Sequence, residues 1–128
     1  MITTTDVANI LYRDCKAFGL DVYQNGAIPV GEVKKERITI HAKRQTAESY
    51  WNKGFVEVNL CVPDKNGMAD LARLNELEKY ASSRFDSVGE YENSHYRYSI
   101  HSYGLEEDTS MKCHYINVRL LFEVLNVN

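Results

Sequence analysis

The stretch 55–85, FVEVNLCVPDKNGMADLARLNELEKYASSRF, changes its hydrophobic period once, and this change constrains the fold more than any other feature. Its first eight residues alternate between two sets of side chains, the period of two that is typical of a β-strand. Pro63 ends the strand because proline has no N–H to donate, and the Asp-Lys-Asn-Gly that follows favours a turn. Apolar residues then recur every three or four positions, which predicts a helix with this buried stripe: Leu71, Leu74, Leu77, Ala81 and Phe85.

The strand and the helix bury their apolar faces together only if the helix folds back across the sheet. The side chains of the strand that are expected to point inward are Val56, Val58, Leu60 and Val62. We therefore expect this strand–turn–helix unit to organise the core.

Hydrophobic periodicity predicts further elements on both sides of this unit. A first helix is capped by Thr4 or Thr5 and ends at Gly19, and it buries Val7, Ile10, Leu11, Cys15 and Phe18. Alternation predicts strands at 37–44, 94–103 and 113–126, the last of them the longest and central. Residues 20–36 are weakly patterned and predict an irregular arm or a short hairpin, whereas 86–93 and 104–111 are expected to be polar loops.

The element order is therefore α-β-β-α-β-β, in which each pair of strands is sequential along the chain. We predict an α+β fold, a mainly antiparallel sheet of four to five strands with two helices packed on one face. At 128 residues, the chain is expected to form a single domain, 1–128.

Composition places the chain among ordinary globular proteins, with 44% hydrophobic and 26% charged residues. No apolar run approaches the roughly 20 residues that cross a bilayer, and the N-terminus lacks the pattern of a signal peptide. We therefore expect a cytoplasmic protein with no membrane partner. Three widely spaced cysteines without a CxxC motif indicate reduced thiols.

Charge is unevenly distributed along the sequence, whose net charge is −3. Residues 1–62 contain eight basic and seven acidic residues, and residues 63–128 contain seven basic and eleven acidic ones. The acidic residues concentrate in two clusters, one with Asp86, Glu90 and Glu92 and the other with Glu106, Glu107 and Asp108. Such clusters either keep loops soluble or form a patch that meets a basic partner.

No pattern of residues predicts catalysis. The four histidines, His41, His95, His101 and His114, all fall in predicted strands, and none has the helical spacing of a zinc-protease pair. The sequence contains no GxSxG elbow and no glycine-rich phosphate loop. We predict that the protein is not an enzyme and has no catalytic residues, no metal site and no cofactor.

A small nucleic-acid-binding module is the alternative. Tyr96, Tyr98, Tyr103 and Arg97 crowd one predicted strand, and sheets that bind single strands place stacked aromatic residues beside basic ones. Against this alternative, Tyr96 and Tyr98 share a face with Ile100, which indicates core packing, and the second half of the chain is acidic.

The order of these elements, with local sequences such as ITIHAKR, VEVNLCVPDKNGMADLARLNELEKY and INVRLLFEVLN, resembles the tail-completion or tail-terminator proteins of long-tailed bacteriophages and prophages. The resemblance covers roughly residues 5–126. It implies a non-enzymatic structural protein that joins or terminates the tail at the head–tail interface, as a ring that is often hexameric.

The resemblance also implies where such a protein makes contacts. Its loops 45–54 and 104–111 would meet neighbouring subunits or other neck and tail proteins, first in the bacterial cytoplasm and then in the virion. The candidate contact residues are Tyr50, Trp51, Lys43, Arg44, Glu106, Glu107 and Asp108. Lys34, Lys35, Lys43 and Arg44 could line a passage for DNA, without sequence-specific binding, or meet an acidic partner.

Overall fold

The computed structural model describes residues 2–47 and 51–125, except for the side chains of Ala47 and Trp51. Its elements are α1 (Thr4–Cys15), a 3₁₀ turn (Lys16–Phe18), β1 (Asp21–Gln24), β2 (Arg37–Ala47), β3 (Trp51–Pro63), α2 (Leu71–Arg84), β4 (Asp86–Tyr91), β5 (Ser94–Asp108) and β6 (Cys113–Leu125). The strands form one sheet in the order β1-β2-β3-β6-β5-β4. β1 is parallel to β2, and the other neighbouring strands are antiparallel.

The predicted sheet of four to five mainly antiparallel strands, in the order α-β-β-α-β-β, is wrong. The sheet is mixed and curled and contains six strands, and strand is the main secondary structure of the described chain. The additional strands are β1, within the weakly patterned 20–36, where an irregular arm or a short hairpin was predicted, and β4, within the predicted loop 86–93. Both are short edge strands, so few of their side chains enter the core and their sequences show little apolar alternation.

The predicted loops 45–54 and 104–111 are largely strand. β2 extends to Ala47 and β3 begins at Trp51, while β5 continues to Asp108 and is, at 15 residues, longer than β6. β6 is nevertheless internal, between β3 and β5, as predicted. Most described side chains at the ends of these long strands are exposed, so their polar sequences hide the alternation on which the prediction depends.

Helix α1 begins one residue earlier than predicted. Thr3 is the N-cap, since its hydroxyl accepts a hydrogen bond from the Asp6 N–H and the Asp6 carboxylate accepts one from the Thr3 N–H, both at 3.0 Å. The helical segment ends at Gly19, whose φ of 74° is left-handed, as expected. Helix α2 begins after Asp70, and Leu71 is 61% exposed, so the predicted stripe starts one turn too early.

Both helices contribute to one cluster of buried side chains on the same side of the sheet. The inward-facing residues predicted for β3 are confirmed, because all four are buried: Val56, Val58, Leu60 and Val62. The alternate apolar residues of β6 are buried as well: Ile116, Val118, Leu120, Phe122 and Val124. At the end of α1, Arg13 Nη2 donates to Tyr96 Oη at 2.7 Å, and Tyr98 Oη donates to Asp14 Oδ2 at 2.8 Å. These bonds fix the helix to β5.

A β-bulge in β5 changes which side chains face the helices. The register with β6 shifts between Ile100 and Ser102, so Ser102 lies opposite Arg119 and Tyr103 lies opposite the buried Val118. Strict alternation along the predicted strand 94–103 places Tyr103 on the same face as Arg97. This prediction is wrong, because a bulge inserts one residue and reverses the alternation beyond it.

Candidate functional site

The sheet face opposite the helices, which we call the open face, holds a hydrogen-bonded polar network at its centre. Asn117 Nδ2 on β6 donates to Glu57 Oε1 at 2.8 Å and to Asn59 Oδ1 at 2.7 Å, both on β3. Lys43 Nζ on β2 lies 3.6 Å from Glu57 Oε2. Opposite charges and amides on neighbouring strands stabilise their register, so the network fixes three strands together.

An aromatic group lies beside this network on the open face. The Arg119 guanidinium is 4.1 Å from the centroid of the Phe55 ring, and the His101 ring meets Phe55 edge-on at 5.0 Å. Arg119 Nε is buried and has no hydrogen-bond partner among the described residues. The Phe55 ring thus supports the arginine mainly by cation–π attraction.

A recess of about 230 Å³ lies at one end of the open face, where residues 25–36 and the turn before β6 approach the sheet. Ile28 and Met111 line it on one side, and Arg37, Cys61 and Cys113 line it on the other. The two cysteines are buried, as is Cys15 in α1, and all three are free thiols. Burial raises the pKa of Cys61, and it raises the pKa of Cys113 to about 12. Thiols with raised pKa values are poor nucleophiles at neutral pH, so this recess is not equipped for cysteine catalysis.

From the burial of the thiols, we predict that the protein loses stability at alkaline pH. The pKa of Cys15 is raised above its unfolded value of about 8.5, so its stabilising contribution is complete below that pH and is lost as pH rises towards the folded pKa. Each fully buried thiol should lower the free energy of unfolding by about 1.4 kcal/mol per pH unit above pH 9. Urea unfolding from pH 8 to 10.5 measures the slope of the unfolding free energy against pH. Cys15→Ala should make this slope shallower by about that amount. A parallel pH dependence in both proteins would contradict the prediction.

The four histidines lie apart from one another. His41 Nε2 is 3.1 Å from Thr39 Oγ1 on the open face, where burial and then Lys43 lower its pKa against the opposing effect of Glu57. His114 lies on the helix side, its Nδ1 2.7 Å from Asp64 Oδ1 and its Nε2 3.8 Å from Glu107 Oε2. His101 packs on Phe55, and His95 is exposed at the start of β5. Within residues 2–47 and 51–125, no three histidine, cysteine or acidic side chains form a group that could hold a metal ion.

The predicted basic contact residues lie near the C-terminal end of β2. Lys43 and Arg44 are exposed and fall in a bulge, where the register with β3 shifts between Ala42 and Gln45. Tyr50 lies outside the described residues. Trp51 begins β3, and its side chain is also outside the description.

The three acidic residues that were predicted to make contacts, 106–108, lie in different surroundings, because side chains alternate between the two faces of β5. Glu106 and Glu107 are exposed on opposite faces of the strand, the first opposite Tyr115 and the second near His114. Asp108 is structural, since its Oδ1 accepts hydrogen bonds from Ser110 Oγ at 2.7 Å and from the Met111 N–H at 3.1 Å. Sequence analysis missed this role, although an Asp two and three residues before its partners is a frequent turn signal.

The aromatic residues of the alternative hypothesis do not form a stacking surface. Tyr96 and Tyr98 are 6% and 2% exposed and stack on each other and on Phe122 within the core. Arg97 points to the opposite face, where its Nη2 lies 2.9 Å from Glu123 Oε1. The two tyrosines and Arg97, which are neighbours in the sequence, therefore lie on opposite faces of the sheet.

Comparison with known proteins gives a fold and no family. No protein-family model matches the chain, and no curated protein matches it. A solved structure that carries a sequence identifier and no functional name is similar, with a TM-score of 0.66 at 12% identity over 98% of this chain and 96% of that one. At such low identity the similarity concerns the fold alone.

Proposed function

We propose that this chain is a non-enzymatic assembly protein of a bacteriophage or prophage, which joins or terminates the tail at the head–tail interface as a ring of identical copies. Its partners would be further copies of itself and other neck and tail proteins. DNA would pass through the ring without being read. The protein would act in the bacterial cytoplasm during assembly and then in the virion, and neither described helix is long and apolar enough to cross a membrane.

The observation that supports this proposal best is the incomplete covering of both sheet edges. In the described part of the chain, β1 pairs with only residues 37–40 of β2, and β4 pairs with only residues 94–99 of β5. The remaining outer edges, 41–47 and 101–108, lack a neighbouring strand among the described residues. Unpaired edges of this kind bind another chain readily.

Sedimentation velocity across a concentration series tests the proposal. We expect a concentration-dependent shift from monomer to one closed ring, which electron microscopy of the largest species should show as a uniform annulus. Continued growth into filaments, or a monomer at every concentration, would contradict the ring.

The nucleic-acid alternative predicts a different result in the same instrument. A single-stranded oligonucleotide should sediment with the protein at moderate salt if the alternative holds. We expect no comigration, because Tyr96 and Tyr98 are buried.

A further inference from the structure

The two edges of the sheet carry opposite charge. Residues 21–47, which form and border the β1–β2 edge, contain five basic and three acidic residues, whereas residues 86–108, which form the β4–β5 edge, contain one basic and six acidic residues. Four of these basic side chains and five of the acidic ones at the second edge are exposed: Lys34, Lys35, Lys43 and Arg44, and Asp86, Glu90, Glu92, Glu106 and Glu107.

Each edge strand also covers only part of its neighbour, and the two edge strands lie at diagonally opposite corners of the sheet. Arg37, Cys61, Tyr115 and Glu106 form one row across the sheet, and β1 extends the sheet at the Arg37 end of this row. β4 instead begins opposite Ser99, in the row of Phe55 and Leu121. Each edge therefore has a projecting half and a recessed half, and the projection of one edge lies level with the recess of the other.

From these two observations we propose that copies of this chain associate head to tail, with the acidic β4–β5 edge of one copy docked on the basic β1–β2 edge of the next. This inference rests on the proposed function, since it names the surfaces through which copies would meet. β4 fills the recess beside residues 41–47, so Asp86 meets Lys43 and Arg44, and Glu90 lies further along, level with the end of β2. In the same contact, β1 fills the recess beside residues 101–108. Asp21 then comes level with Glu106, and it brings Lys35, whose Nζ lies 3.9 Å from Asp21 Oδ2, towards the acidic edge.

Strand directions are compatible with this contact. β4 and β2 run in the same direction, because each is related to β6 by an even number of antiparallel steps, whereas β1 and β5 run in opposite directions. The docked β4 is thus parallel to β2, and the docked β1 is antiparallel to β5. Both arrangements form β-ladders.

Charge also disfavours the symmetric alternative, in which two β4 strands pair with each other. If Val88, which is 75% exposed, faced its own copy, Asp86 would lie opposite Glu90 on both sides. Like charges directly opposite each other destabilise a strand pair. A heterologous contact avoids the repulsion between Asp86 and Glu90, covers Val88 and generates a ring when its rotation closes.

Two charge-reversal variants test the contact. One is K43E/R44E, which makes the basic edge acidic, and the other is D86K/E90K, which makes the acidic edge basic. Each variant alone brings like charges together, so we expect its association to weaken by about 100-fold or more. An equimolar mixture restores opposite charges at both contacts and should recover association to near the wild-type level. The recovery also shows that both variants are folded.

The control is K65E/K79E, which has the same change of net charge as K43E/R44E but lies on the turn before α2 and on α2 itself. It should associate like the wild type. This contact would be overturned if both reversal variants associate as well as the wild type does. It would also be overturned if the mixture of the two fails to associate. In either case the ring itself would stand. A wild type that stays monomeric at every concentration would overturn the ring and the contact together.

Discussion

Replacing Phe122 with alanine should lower the free energy of unfolding by about 3–5 kcal/mol, the usual cost of deleting a buried phenylalanine. Phe122 is fully buried on β6, and its ring centroid lies 5.3 Å from that of Tyr96 and 6.0 Å from that of Tyr98. The substitution removes apolar area and leaves a cavity between aromatic rings that are held by hydrogen bonds to α1. The surrounding rings cannot collapse into this cavity without breaking their bonds to Arg13 and Asp14.

Urea unfolding of Phe122→Ala and of Leu121→Ala provides the measurement and its control. Leu121 is the next residue on the same strand, but it faces the open side and is only partly buried. Its truncation should cost less than half as much. Equal losses from the two variants would show that the helix side of β6 is not the more tightly packed one.

Sequence predicts best where a strand is long and buried on one face. In β6 the alternation of Ile116, Val118 and Leu120 with polar or half-buried residues gave both the strand and its buried side correctly. β4 gave no such signal, because its alternation is between exposed residues such as Val88 and half-buried ones such as Ser87 and Gly89. Gly89 itself is required by packing, since a Cβ there would lie 2.5 Å from Tyr96 Oη.

The charged edges were only partly accessible from the sequence. The acidic and basic clusters are visible as local composition, but local composition does not say that they border opposite edges of one sheet. That arrangement depends on the pairing of β3 with β6, which brings Leu60 opposite Ile116 across more than 50 residues of chain. Likewise, the contacts of Asn117 with Glu57 and Asn59 depend on this long-range register. The bulge after Ile100 has no marked sequence signal, and it moved Tyr103 to the helix side.

Leu74 and Leu71 give a matched test of how α2 packs. Both are leucines on the predicted apolar stripe of this helix, yet Leu74 is 2% exposed and Leu71 is 61% exposed. The helix crosses from the side of β2 to β5, since Arg73 at its start is paired with Glu36 before β2, while Phe85 at its end packs near Tyr98 on β5. Its first turn therefore lies at the margin of the core.

We expect Leu74→Ala to lower the free energy of unfolding by about 2–5 kcal/mol and Leu71→Ala to change it by less than about 0.5 kcal/mol. Alanine and leucine have similar helix propensities, so the difference between the two variants measures burial alone. Chemical denaturation of the two proteins and the wild type, with the m-value held as a check on cooperativity, gives both numbers. A large loss in Leu71→Ala would instead place the first turn of α2 in the core, as its sequence suggests, and not at the margin.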